Sequence, residues 1–309
     1  APDGTVVTFT LPSGGASFVG GVYTCTTSGG QCSVQINSAS AGEVEIHGET
    51  EVSVGGLVLH RETDGENDNS GDAEKRYVDA SIGITPQEAT NAVGEPHTFT
   101  VTVKEDDGTG PSAVENAYPV VTVEPTPDGG VTDNCATGGT DASGQCTVVI
   151  TSSVTGVFTA NAEITLTVGG LTVVRSTSGD SGFEGTDSAT KEYADASLTL
   201  EPPVATNEVG ETHTFTAKLI VNGAPKSGEE ITFSLSGVGS FEPAGGDTCT
   251  TESDGECEVQ IVSTVPGTTT VEASWAGQVD TVEFDLSDSS VKTWVKARLE
   301  VTPETDENE

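Results

Sequence analysis

Six cysteines are the residues of this chain with the clearest chemistry, and they form three local pairs. The pairs are Cys25/Cys32, Cys135/Cys146 and Cys249/Cys257. Each pair flanks a turn rich in Thr, Gly and Asp that leads into a strand, which predicts a disulfide across each hairpin. Zinc is the rival interpretation, but each pair lacks the third and fourth ligands of a structural site. Because disulfides persist outside the cytoplasm, the cysteines predict an extracellular protein.

Acidic side chains cluster in the segment ETDGENDNSGDAE, residues 62–74. The candidate calcium ligands are Asp64, Glu66, Asp68 and Asp72. Calcium takes six to eight oxygen ligands, which converging carboxylates supply. However, EF-hand spacing is absent, and the corresponding later segments SGDSGFEGTDS and DLSDSS carry fewer acids. A solvated, self-repelling surface loop is therefore the preferred interpretation, and calcium is the only cofactor that remains in question.

Histidines offer little support for catalysis. His97 and His213 each open an HTFT segment, so a structural role at the start of a strand is expected. No GxSxG nucleophile elbow accompanies them, and a catalytic triad is not expected to duplicate with its domain. We therefore predict that the chain is not an enzyme.

The charge balance excludes several classes of partner. The 309 residues contain 11 Lys and Arg against 49 Asp and Glu, a formal net charge of −38. Nucleic acids are bound by clustered basic residues, and anionic membranes attract them, so neither partner is expected. No run approaches the roughly 18 apolar residues of a membrane span.

Strongly charged chains with 33% hydrophobic residues are often disordered, but the pattern here is regular. In His97–Val103, Phe99, Val101 and Val103 alternate with threonines. Such period-two runs between Gly, Pro, Asp and Asn clusters predict strands and turns. We expect an all-β fold.

Internal repetition defines the domains. ASIGITPQEATNAVGEPHTFTVTV begins at Ala80, ASLTLEPPVATNEVGETHTFTAKL begins at Ala196, and ARLEVTPETDENE begins at Ala297. The period of about 100–115 residues is that of one β-sandwich. It predicts a partial first domain at 1–79, complete domains at 80–195 and 196–296, and the first strand of a following unit at 297–309; we call the first three segments repeats 1 to 3.

Repeat 1 begins in mid-domain, since Pro2–Leu11 corresponds to Pro225–Leu235. The chain is therefore either a window from a longer tandem array, which we favour, or a subunit whose first repeat is completed by a neighbour. The candidates for strand exchange are Ala297, Leu299 and Val301. If this segment were donated to repeat 1 of a neighbouring copy, that repeat would still lack a counterpart of the VGExHTFT strand.

The linkers at Asp79-Ala80, Asp195-Ala196 and Lys296-Ala297 contain no Gly or Pro. One strand should therefore run almost directly into the next, which predicts a stiff, extended rod on the order of 100 Å long.

The string A-T-N-x-V-G-E-x-H-T-F-T, followed by a CTT…GxC turn and a closing strand, resembles the bacterial immunoglobulin-like repeats of invasin/intimin-type surface proteins. The resemblance covers nearly the whole chain. It implies tandem immunoglobulin-like β-sandwiches, secreted and serving as a stalk that displays an adhesive tip. The cysteines, the acid load and the insertion in repeat 1 depart from the family pattern, and nothing resembles the lectin-like tip.

These observations predict a non-catalytic stalk or filament segment of an extracellular, adhesin-like surface protein. Its expected partners are neighbouring immunoglobulin-like repeats or copies of itself head to tail. A host or surface ligand would bind through a region outside this chain. The alternatives are a self-assembling filament subunit joined by strand complementation and a calcium-dependent binding module.

Overall fold

The computed structural model describes residues 1–302 and Glu307, and these residues form mainly β-strands. They make two compact units. The first contains Ala1–Glu88, His97–Ile150 and Phe158–Thr190, and the second contains Ala89–Pro96, Thr151–Val157 and the chain from Lys191 onward. In the described part of the chain, no helix is long and apolar enough to cross a membrane.

Repeat 1 consists of two sheets of unequal size. Its elements are β1 (Val6–Ser13), β2 (Ala16–Phe18), a 3₁₀ helix (Val19–Gly21), β3 (Thr24–Thr26), β4 (Ile36–Ser38), β5 (Gly42–Val54), β6 (Leu57–Glu62) and β7 (Ala73–Tyr77). β1 lies between β3 and β5, and β5 also pairs with β6 and β7. β2 and β4 form a separate two-stranded sheet.

The second repeat adds strands and one short helix. Its elements are β8 (Asp79–Thr85), β9 (Glu88–Ala92), β10 (His97–Asp106), β11 (Pro111–Ala113), β12 (Val120–Glu124), β13 (Val131–Asp133), α1 (Asn134–Gly138), β14 (Gln145–Ile150), β15 (Gly156–Val168), β16 (Leu171–Ser176) and β17 (Ala189–Ala194). In the first compact unit, β10 pairs with β8, β11 and β14, while β15 pairs with β12 and β16.

The helix α1 was not expected from the sequence. It begins where the Asp133 carboxylate accepts a hydrogen bond from the Ala136 amide at 2.9 Å, so Asp133 caps the helix. The all-β expectation is otherwise confirmed. The alternation is confirmed as well, because Phe99, Val101 and Val103 are fully buried.

Repeat 3 is a complete sandwich. Its strands are β18 (Ala196–Glu201), β19 (Val204–Glu208), β20 (His213–Val221), β21 (Ala224–Pro225), β22 (Glu230–Gly237), β23 (Ser240–Phe241), β24 (Thr248–Thr250), β25 (Glu256–Val262), β26 (Gly267–Val279) and β27 (Val282–Val295). One sheet has the order β18-β20-β25-β23 and the other β19-β27-β26-β22-β24. In immunoglobulin lettering, the first order is A-B-E-D, where β18 is A, β20 is B, β25 is E and β23 is D. The second sheet places C (β22), F (β26) and G (β27) side by side, as in immunoglobulin domains. The fold is immunoglobulin-like.

The core of this sandwich lies between its two sheets. Phe215 and Ile261 come from one sheet, and Phe233 and Trp294 from the other, all within one cluster of buried side chains. Repeat 1 differs, since Val44 is the only buried hydrophobic side chain between residues 1 and 79, all of which are described. The reason is that repeat 1 has no counterparts of β18 and β20, against which its inward-facing side chains would pack.

Candidate functional sites

The three disulfides pair as the sequence predicts. Cys25–Cys32, Cys135–Cys146 and Cys249–Cys257 have Cα–Cα distances of 5.8, 5.0 and 5.8 Å. Their predicted position across a hairpin is wrong. Cys249 lies on β24, which pairs with β22, whereas Cys257 lies on β25, which pairs with β20 in the opposite sheet. The turn between them crosses from one sheet to the other, so this disulfide ties the two layers of the sandwich together.

The disulfide of repeat 2 uses a different element. Cys135 lies on α1 and Cys146 on β14, so it joins a helix to a strand. Cys25 lies on β3, and Cys32 follows an isolated bridge between Ser28 and Gln31. In each repeat the bond therefore fixes the segment that precedes the strand equivalent to β25.

The predicted calcium ligands of repeat 1 form local hydrogen bonds. Asp64 accepts hydrogen bonds from the Glu66 amide at 2.9 Å and from Asn69 Nδ2 at 3.2 Å, and the Glu66 contact is the main reason that the Asp64 pKa is lowered. Asp68 has a positive φ of 63° within the same loop. Such bonds stabilise a loop without requiring a ligand.

Asp72, the fourth predicted ligand, contacts other residues. It accepts a hydrogen bond from Thr63 Oγ1, which is the largest cause of its lowered pKa, and lies 2.8 Å from His47 Nδ1. Within residues 1–302 and Glu307, no group of three or more His, Cys, Asp or Glu side chains is placed to hold a metal ion. The structure thus does not bring the four carboxylates together, and calcium binding stays a prediction.

The acidic segment of repeat 2 forms a strap along β8. Ser81 and Gly182 form a β-bridge, and the Ile82 amide donates a hydrogen bond to Ser181 O at 2.9 Å. Glu184 accepts a hydrogen bond from Lys104 Nζ at 2.6 Å. We call residues 178–187 the strap. Glu184 therefore has a structural partner that the sequence did not reveal.

Arg175 anchors the boundary between repeats 1 and 2. Its guanidinium pairs with the Asp79 carboxylate, donates from Nε to Ala80 O at 2.9 Å and lies 3.3 Å from Asp180. Asp79 directly follows Val78, the single residue between β7 and β8. The arginine thus holds the linker itself.

Asn222 holds the boundary between repeats 2 and 3. Only Asp195 separates β17 from β18. Its amide donates to Asn222 Oδ1 at 2.9 Å, and its carbonyl accepts from the Asn222 amide at 2.9 Å. Repeat 3 has no counterpart of the strap; there the Asp288 carboxylate accepts a hydrogen bond from the Leu200 amide at 2.8 Å. The direct strand-to-strand linkers expected from the sequence are therefore present at these two boundaries, whereas at the third, Lys296-Ala297, no strand follows among the described residues up to Thr302.

Buried lysines are the feature that the sequence analysis missed. Lys191 and Lys292 are both fully buried. Each stacks on the aromatic ring two residues later, with Nζ 4.8 Å from the centre of Tyr193 and 5.2 Å from the centre of Trp294. Burial lowers the pKa of Lys191 to about 8 and also lowers that of Lys292. The repeated K-x-Y and K-x-W strings were the available signal.

His213 lies at the same end of the sandwich as Lys292. Its ring packs edge-on against Phe215, with centroids 4.8 Å apart, as His97 packs on Phe99 at 4.6 Å. Burial and, secondarily, the charge of Lys292 lower the pKa of His213. The neutral imidazole is therefore favoured, as expected for a structural histidine.

The strand-exchange candidates are exposed. The described residues from Lys296 to Thr302 contain no strand, and Leu299 and Val301 are 91% and 73% exposed. Their sequence equivalents in repeat 3, Leu198 and Leu200, are buried on β18. The remainder of the predicted strand, 303–306 and 308–309, lies outside the described residues.

Comparisons with solved structures find several chains that are similar to this one at low sequence identity. The chain is similar to the D00-D0 domain of intimin, with 16% identity over 70% of this chain and 100% of that one and a TM-score of 0.41. It is similar to invasin, described as a bacterial integrin-binding protein, with 15% identity over 94% of this chain and 54% of that one and a TM-score of 0.32. No family model and no curated protein sequence matches.

A third similarity is to a 282-residue C-terminal fragment of intimin in complex with the intimin-binding domain of its translocated receptor. It has 17% identity over 68% of this chain and 62% of that chain, with a TM-score of 0.31. At these identities the similarity concerns the fold alone. The strand order of repeat 3 confirms the immunoglobulin-like fold that the sequence motifs imply.

Proposed function

We propose that the chain is a stalk segment of an extracellular, adhesin-like surface protein, and that it works by reach and mechanical strength rather than by catalysis. The observation that carries the proposal is the pair of one-residue linkers, Val78 and Asp195. Hydrogen bonds hold Asp79 and Ala80 directly after the first linker and Asp195 itself at the second. Linkers of this kind restrict the hinge motion that flexible, Gly-rich connections permit.

The chemistry of each linker supports the same function. At the first, Arg175 binds both the carboxylate of Asp79 and the carbonyl of Ala80. At the second, Asn222 forms two hydrogen bonds with the backbone of Asp195. An amide or guanidinium that contacts the linker backbone resists bending there, because bending separates the hydrogen-bonded atoms.

The extracellular location is supported by the three disulfides, since every cysteine of the chain is paired. The net charge of −38 favours solubility and opposes nonspecific association. We propose that any host or surface ligand is bound by a region outside this chain. The chain itself would hold that region away from the cell surface.

Small-angle X-ray scattering of the purified chain tests the stalk function. A stiff rod gives a maximum dimension on the order of 100 Å and a narrow cross-section. A variant with Gly-Gly-Ser inserted between Val78 and Asp79 should bend and broaden the distance distribution. The stalk proposal would be refuted if the wild-type profile already matched domains joined by flexible linkers and if the insertion left that profile unchanged.

Self-assembly is the second candidate function, favoured by the exposure of Leu299 and Val301. In this case the segment from Ala297 of one copy adds to the open sheet of repeat 1 in the next, where Val44 is the only buried hydrophobic side chain among residues 1–79. Light scattering across a concentration series tests it. Association that is lost in a Leu299→Asp, Val301→Asp variant supports assembly, and a monomer at every concentration rejects it.

A further inference from the structure

An unusual pair of side chains joins the second and last strands of repeat 3. Lys292 Nζ on β27 lies 2.5 Å from Asn207 Oδ1 on β19, and these two strands pair in parallel. With a C=O bond of about 1.23 Å, this distance places the amine within roughly 4 Å of the carboxamide carbon. The two groups are therefore close to the separation at which an amine attacks a carbonyl carbon.

The environment of Lys292 suits a nucleophile. The side chain is fully buried, and its ammonium faces the ring of Trp294 at 5.2 Å. Burial lowers the Lys292 pKa, which increases the fraction of neutral amine. Among the described residues, burial is the cause of that shift. The amine is thus both confined and deprotonated more easily than a surface lysine.

The carboxamide of Asn207 is also held in one orientation. Its Nδ2 donates a hydrogen bond to Thr212 O at 3.3 Å, which leaves Oδ1 directed at Lys292. The repeat-2 counterpart, Asn91, makes the same bond to Pro96 O at 3.3 Å. Lys191, however, donates to Glu192 O at 2.8 Å. Repeat 2 therefore provides an internal comparison in which the amine is directed elsewhere.

We propose that Lys292 and Asn207 form an intramolecular isopeptide bond. The neutral Nζ attacks Cγ of Asn207, the Cγ–Nδ2 bond breaks, and Nδ2 leaves as ammonia with the proton that Nζ gives up. One amide replaces another, so no oxidant, reductant or further reactant is needed. Holding the two groups together in a buried site favours this reaction, because the entropy of bringing them together has already been lost on folding.

The position of the bond fits a chain under tension. Asn207 is near the start of repeat 3 and Lys292 near its end, so the bond encloses nearly the whole sandwich between two covalently joined strands. A pulling force would then pass through the bond, and the strands between would not unzip. The inference concerns covalent structure and holds whether or not the stalk function does.

Mass spectrometry of the intact, reduced and denatured wild-type chain tests the proposal. We expect a mass lower than that of the sequence by about 17 Da, which is one molecule of ammonia. Tryptic digestion should yield a branched peptide that joins the segments containing Asn207 and Lys292. A wild-type chain of full sequence mass, after folding and prolonged incubation at pH 8, overturns the proposal.

Two variants locate the bond. Lys292→Met and Asn207→Ala should each restore the full mass, whereas Lys191→Met should keep the deficit. A deficit that persists in Asn207→Ala would also overturn the assignment. Circular dichroism establishes that each variant is folded, and the wild-type measurement decides the question even where a variant is not.

Discussion

Arg175 and Asp79 form an ion pair that spans the boundary between the first two repeats, and both side chains are about four-fifths buried. The pair is accompanied by the bond from Arg175 Nε to Ala80 O. A guanidinium that contacts a linker at two points restrains both the backbone and the side chain of that linker. This ion pair explains why a single residue, Val78, is enough to connect β7 to β8.

Replacing Arg175 with Gln should destabilise this boundary. Hydrogen bonds to charged groups contribute about 1.5–3 kcal/mol, and the variant leaves Asp79 without its cation. We expect a loss of about 2 kcal/mol in urea unfolding. Arg298→Gln is the matched control, because Arg298 pairs with Glu300 while 76% exposed, and its stability should be unchanged. Equal effects of the two substitutions would contradict this role for Arg175.

Gly182 should tolerate no side chain. It has a φ of +79°, and a Cβ at this position would lie 1.9 Å from Ala80 O. Gly182→Ala should therefore detach the strap from β8 and cost on the order of 1–3 kcal/mol. Hydrogen exchange of the Ile82 amide measures the detachment directly. Gly179→Ala is the control, since nothing lies within 4 Å of its added Cβ; faster exchange of Ile82 in both variants would disprove the steric explanation.

The sequence predicted the features that depend on local pattern. Alternation identified Phe99 and Val101 as core residues, and spacing identified Cys249 and Cys257 as partners. It did not show that these cysteines lie in opposite sheets, because their position depends on where the chain crosses the sandwich. The point at which the chain crosses between the sheets is set by tertiary packing and not by the local sequence pattern.

The buried lysines escaped prediction for a different reason. Hydropathy treats lysine as solvated, although Lys292 and Trp294 are two residues apart and therefore share one face of β27. A long side chain can be buried when its amine finds an oxygen, as Lys292 does with Asn207. The strap was missed similarly, since its acids suggested solvation or metal binding, and the partner of Glu184, Lys104, is distant in sequence.

Removing the disulfide of repeat 3 should weaken the sandwich. The bond closes a loop with a sequence separation of 8. In the chain-entropy model, the Cys249→Ser, Cys257→Ser variant loses about 2.5 kcal/mol. Calorimetry with and without reductant measures the change. Reductant should lower the melting temperature of the wild-type chain, and a variant as stable as the oxidised wild type would show that the bond adds nothing to stability.

Acid should destabilise repeat 3 through His213. Burial and Lys292 hold the pKa of His213 below its ordinary value of about 6.5 in the folded state. The unfolded chain therefore takes up this proton first as the pH falls, so stability declines from about pH 6.5 downward until the folded-state pKa is passed. Above about pH 6.5 the group has no effect, because it is neutral in both states.

The measurement for His213 is urea unfolding of the wild-type chain and of His213→Gln at several pH values between about 5 and 8. The variant should lose less stability than the wild type on acidification, because it has no imidazole to protonate. His60→Gln is the control, since His60 is 54% exposed and lies outside repeat 3. Carboxylates such as Asp64 and Asp72 have pKa values lowered below 3.8, so their contribution falls at more acidic pH. If wild type and His213→Gln show the same slope, protonation of His213 does not govern the acid sensitivity of repeat 3.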